Sequence, residues 1–282
     1  MYKQGKFDIT MNNNNYNKNL LIKIAFLFFL SYVFGVIFHN MIHELGHAVT
    51  VWLQGGTITG FYFHPFNSCY NSSTYVPNHL LLYSGGAFFG LPLTILLMLF
   101  ALKYRSPIMF PLIVTGTYGF FSTGIWMLKS IIYPEIQTDY TYMIELGTPG
   151  FLMLIIGIIY ILFGLLARIF FLPLAGIDFK STYKTRFAVY LLGILPWYLL
   201  NGLFNLTVND FPIVSVTYFL ISVIFYLIFE AFISLPLQRN LKLFRHISNQ
   251  QIKNIHFAVI LFAIFIIYGI MIFVNTFFPL KI

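Results

Sequence analysis

His43-Glu44-Leu45-Gly46-His47 sets two imidazoles four residues apart, with a carboxylate beside the first. On a helix such residues share a face one turn apart. Each ring can then place a nitrogen ~2.0–2.1 Å from a single Zn²⁺ ion. The ion lowers the pKa of a bound water towards ~7, and Glu44 is placed to take its proton as the water attacks a peptide carbonyl. The chain has only 7 His in 282 residues, so a chance match to this pattern is on the order of one in several hundred. The three ionisable groups sit within an apolar stretch, where such side chains are costly and mark functional sites by default. The competing reading is a hydrogen-bonded polar cluster that joins helices.

The elements that must position these groups are membrane spans. The chain is 59% hydrophobic and 9% charged, whereas a soluble domain has about a quarter of its residues charged. Seven apolar segments run from Leu20 to Leu53, His79 to Leu102, Pro107 to Tyr133, Pro149 to Leu174, Arg186 to Leu206, Phe211 to Leu235 and Ile255 to Pro279. Each is long enough to cross a hydrocarbon core of ~30 Å. The expected fold is all-α, a polytopic transmembrane helix bundle of about seven spans. Residues 1–19 read as a disordered cytoplasmic tail and 20–282 as one transmembrane domain, with the catalytic core about 20–175 and additional spans about 186–280.

Lysine and arginine set the orientation. All of them fall on one side of the alternating connections except Lys129 and Lys281, which puts the N-terminus in the cytoplasm and the C-terminus outside. Lys18 and Lys23 precede a first run with no small-residue cleavage pattern, the mark of a retained signal anchor. The net charge of +8 is spread between apolar runs and gives no nucleic-acid face. Cys69 is the single cysteine, which excludes an intrachain disulfide and a cysteine-based zinc site.

After the first segment, Gly55-Gly56 reads as a helix stop. The β-formers from Thr57 to Phe63 and the turn at Asn71-Ser72-Ser73 predict a short extracytoplasmic β-hairpin or re-entrant loop. Thr57, Thr59 and Phe61 would offer a strand edge to an unwound substrate, because a spanning helix hides its peptide bonds until it opens.

The chain resembles the site-2 protease family of intramembrane zinc metalloproteases. The resemblance rests on His43-Glu44-Leu45-Gly46-His47-Ala48 late in the first apolar helix. It rests also on the Gly55-Gly56 and hairpin-like stretch, and on Ser84-Gly85-Gly86, similar to the family's small-residue helix motif. It implies hydrolysis of membrane-protein substrates in or near the bilayer, with His43 and His47 as zinc ligands and Glu44 as general base.

The resemblance also implies an aspartate ligand from a later segment. Glu230 lies ~28 Å inward along the sixth segment, whereas His43 lies ~35 Å outward along the first, so the two differ in depth. The outer connection after the third segment holds Glu135, Asp139 and Glu145. Asp139, followed by Gly147-Thr148-Pro149, resembles the family pattern of an aspartate before a Gly-x-Pro break, although Tyr140 stands where the family commonly has glycine. Glu145 and Glu135 remain the alternatives. His39, one turn before His43, reads as a hydrogen-bonding neighbour of the ligands or a core histidine. Three other functions fit the same histidines: a catalytically inactive membrane scaffold, a metal or proton transporter with Glu230 as a relay, and a haem-binding membrane protein using paired histidines, which has no need for Glu44. The sequence leaves substrate and oligomeric state open.

Overall fold

The computed structural model describes residues 18–63, 70–73, 76–104, 106–175, 177, 181–197, 199–200 and 252–277, and the single positions 224, 228, 229 and 237. Its long helices are α1 (Lys18–Leu53), α2 (His79–Tyr104), α3 (Phe110–Ile132, entered through a 3-10 turn at Pro107–Met109) and α5 (Gly150–Arg168). Between α3 and α5 lies a short helix, α4 (Asp139–Glu145); α6 (Phe171–Leu174) and α7 (Tyr183–Gly193) follow, and α8 (Asn254–Phe277) is the last. Among the described residues five helical stretches, α1, α2, the 3-10 turn with α3, α5 and α8, are long and apolar enough to cross a membrane. The segment expected from Arg186 to Leu206 is described through Trp197 and at 199–200, as α7 and the helical residues after it, whereas the one from Phe211 to Leu235 falls almost wholly outside the described residues, as do Cys69, His64 and Glu230.

α1 is the central helix. At ~1.5 Å per residue its 36 residues exceed the hydrocarbon thickness. Its N-terminal half packs Ile24, Leu27 and Phe28 against Phe110 and Ile113 of α3, Val189 and Tyr190 of α7, and Ile260 of α8. Further along the helix, Phe34, Ile37 and Met41 pack against Ile267 and Met271 of α8. With the Phe26–Phe257 ring pair at 5.3 Å, these contacts make α1 and α8 parallel. Helix association in lipid relies on close approach at small residues, and α3 and α5 show it: a Cβ on Gly124 would lie 2.6 Å from the Gly157 carbonyl oxygen.

Gly55, with φ of 79°, ends α1. The Gly56 N–H donates to the Val51 carbonyl at 3.0 Å, a capping bond that satisfies an orphan carbonyl. Two strands follow, β1 (Ile58–Tyr62) and β2 (Tyr70–Ser73), paired antiparallel with an irregularity between Ile58 and Gly60. The connection between them lies outside the described residues. Asn78 caps α2 by accepting from the Leu81 N–H at 3.0 Å, and its own N–H donates to Gln54 at 2.8 Å. That bond ties the end of α1 to the start of α2.

Candidate metal centre

α1 presents His43 and His47 one turn apart on the face that meets α2. Their Nε2 atoms are 3.1 Å apart, and Oδ2 of Asp139 lies 3.1 Å from each. His43, Glu44 and His47 offer ligand atoms that all lie within 4.8 Å of one another. Glu135 and Glu145, the two other acidic residues of the same connection, are both exposed, and among the described contacts it is the Asp139 carboxylate that meets the imidazoles.

The donor chemistry fits a cation. His47 Nδ1 donates to the Leu82 carbonyl oxygen of α2 at 2.7 Å, an acceptor that requires a proton on Nδ1. In the neutral ring Nε2 then carries a lone pair, directed at a carboxylate oxygen and a second imidazole nitrogen. Atoms of these types at 3.1 Å from one another are held together by a shared positive charge, either a proton on an imidazole or a metal ion. Ligands ~2.0–2.1 Å from one ion at tetrahedral angles are themselves ~3.3–3.4 Å apart, so the observed edges need only small adjustment. The carbonyl bond on the far side of His47 is the orienting contact that metal-ligating histidines generally make.

α2 leaves room for the ion. A Cβ on Gly86 would run into the His43 ring and lie 2.6 Å from His47 Nε2. A Cβ on Gly46 would strike the Gly85 carbonyl, so Gly46, Gly85 and Gly86 together let the helices approach and keep the cleft clear. Gly86→Ala is therefore expected to lower zinc affinity more than ~10-fold while helix content, read by circular dichroism, stays unchanged. Unaltered zinc affinity in that variant would show that the cleft is not the binding site.

Asp139 is delivered by a tightly held helix. Thr138 caps α4 by accepting from the Thr141 N–H at 3.1 Å, and its hydroxyl lies 2.6 Å from Ser130 Oγ of α3. Tyr140 and Met143 are buried with Ala87, Met127 and Met153, and the Tyr140 hydroxyl bonds Thr123. Tyr142 stacks on Tyr83 of α2 at 4.7 Å. Tyr140 is thus the anchor that seats α4. Partial burial acts to raise the Asp139 carboxyl, but hydrogen bonds and charge from His43 and His47 outweigh it and hold the group well below the usual carboxylate range. Burial and the Asp139 charge push the Tyr140 phenol above the usual tyrosine range.

His39 is buried, and its Nδ1 has no hydrogen-bond partner among the described residues. It packs at Gly119 of α3, where a Cβ would lie 2.6 Å from Nδ1, and its ring centroid is 6.2 Å from that of His43. Thr59 and Phe61 lie in β1, with Thr57 just before it. The Leu82 carbonyl, the Tyr83–Tyr142 stack and the seating of Tyr140 are features that residue types and spacing did not reveal; only the tyrosine after Asp139 hinted at the last. No family model, curated protein or solved structure matches the chain.

Proposed function

We propose that the chain is an intramembrane zinc metalloprotease of the site-2 protease type. The observation that carries the reading is the convergence of His43 Nε2, His47 Nε2 and Asp139 Oδ2 beside Gly86, in a chain whose described residues include five helices apolar enough to span a membrane. In this reading His43, His47 and Asp139 hold Zn²⁺. When bound, the ion would acidify a water and polarise the peptide carbonyl beside it. Glu44 would be the general base that holds the proton and then, as general acid, passes it to the leaving amine. Asp139, a carboxylate at neutral pH, would be the anionic ligand. Leu82, through its carbonyl, keeps the His47 ring in the tautomer whose Nε2 can bind metal.

The substrate is a membrane protein whose spanning helix unwinds, and the strand containing Thr59 and Phe61 pairs with the exposed backbone. The Lys/Arg asymmetry puts the centre towards the outer side of the membrane; a reporter fused after Asp139 that reads on the cytoplasmic side would reverse this assignment. The decisive experiment is metal analysis of the purified full-length protein together with cleavage of an unstructured probe, β-casein, in detergent. The wild type is expected to hold one zinc per chain and cut the probe, and His47→Ala to do neither. Zinc-independent binding of partners would favour the inactive scaffold. Zinc or proton flux into vesicles without cleavage would favour the transporter.

A further inference from the structure

The last span enters none of the steps above, yet its outer turn grips the strand beside the centre. The Phe63 N–H donates to Asn275 Oδ1 at 2.9 Å, and Asn275 Nδ2 donates to the Phe63 carbonyl at 2.9 Å. These are the two bonds that a residue on a neighbouring strand would exchange with Phe63. A polar amide near the end of an apolar helix is costly unless its groups are satisfied, and here the Phe63 backbone satisfies a donor and an acceptor at once.

The depth of this contact is fixed by the parallel packing of α8 on α1. Phe257 meets Phe26, and Ile267 and Met271 join the cluster of Phe34, Ile37 and Met41 that also contains Phe63. Continued one further turn, the same offset sets Asn275 level with Glu44. The azimuth agrees: at ~100° per residue Ile37, Met41 and Glu44 fall within ~60° of one another, so Glu44 continues the stripe of α1 that faces α8 and Phe63. Phe61 and Phe63 stack at 5.4 Å on that side.

We propose that Asn275 is a positioning residue: its amide fixes β1 at the depth of Glu44 and so sets which peptide bond of a docked segment meets the general base. This rests on the proposed function and gives the last span its part in it. Misplacement by about 1 Å can cost ~10²-fold in rate, so a strand released from α8 would deliver bonds less accurately as well as more slowly.

The test uses the full-length protein in detergent with Cys69→Ser as background. Nitroxides at Trp52→Cys and Tyr62→Cys, both exposed positions, report the distance between the end of α1 and β1 without need of metal or substrate. Asn275→Leu is expected to broaden that distribution, to leave zinc content at the wild-type level, to lower kcat/KM on β-casein by ~10- to 100-fold, and to spread the cleavage positions found by mass spectrometry. Asn275→Ala differs in bulk but shares the loss of the amide; agreement between the two assigns the effect to the hydrogen bonds. An unchanged distance distribution in both variants overturns the proposal, as does a broadened one with an unaltered cleavage map and rate. If the wild type neither holds zinc nor cuts casein, the proposed function fails, while the label distances still decide whether Asn275 holds β1.

Discussion

Glu44→Gln is expected to retain wild-type zinc content and to lose turnover by ~10²–10⁴-fold, the range a positioned acid–base group contributes. The amide preserves size but has no basicity near neutral pH. His43 Nε2, His47 Nε2 and Asp139 Oδ2 converge without it, so a bound ion would keep three ligands. Glu44 is buried, and a neutral amide costs less to bury than a charge, so the fold is expected to tolerate the change. Metal analysis and β-casein cleavage on the same preparation read both quantities. Loss of zinc together with activity would make Glu44 a ligand, which its place within 4.8 Å of the His43 and His47 ligand atoms permits. Full cleavage with zinc bound would end its role as the base.

Asp139→Asn is expected to lower zinc affinity and activity together, by more than the ~10–100-fold typical of residues that only orient ligands. The reason is geometric and electrostatic. Oδ2 is the one described carboxylate oxygen within 3.1 Å of both imidazoles, and a neutral carbonyl oxygen is a weaker ligand. Glu135→Gln and Glu145→Gln remove exposed carboxylates of the same connection and are expected to leave zinc content unchanged. Isothermal titration of metal-free protein with Zn²⁺ ranks the three. Zinc loss in Glu145→Gln with none in Asp139→Asn would transfer the ligand to Glu145. No loss in any of them would leave the ligand set to be completed elsewhere, with His39 the first candidate.

By itself the sequence determined what depends on local pattern. Apolar runs marked α1, α2, α3, α5 and α8, because hydrocarbon demands length and composition that few other environments require. The i, i+4 spacing put His43 and His47 on one helical face, because a helix has 3.6 residues per turn whatever surrounds it. Gly55-Gly56 marked the end of α1, because the left-handed conformation there suits glycine. What only the tertiary structure decided concerns groups distant in the chain. Residue types offered three carboxylates after α3, and only the resemblance to a family pattern favoured Asp139 over Glu145 and Glu135; the burial of Tyr140 and Met143 against Ala87, Met127 and Met153 turns α4 so that Asp139 meets the histidines. The Leu82 carbonyl leaves no mark in sequence, since every residue carries one. Nor does the pairing of Asn275 with Phe63, 212 residues apart, because a lone amide in an apolar helix says that it needs a partner and not which one.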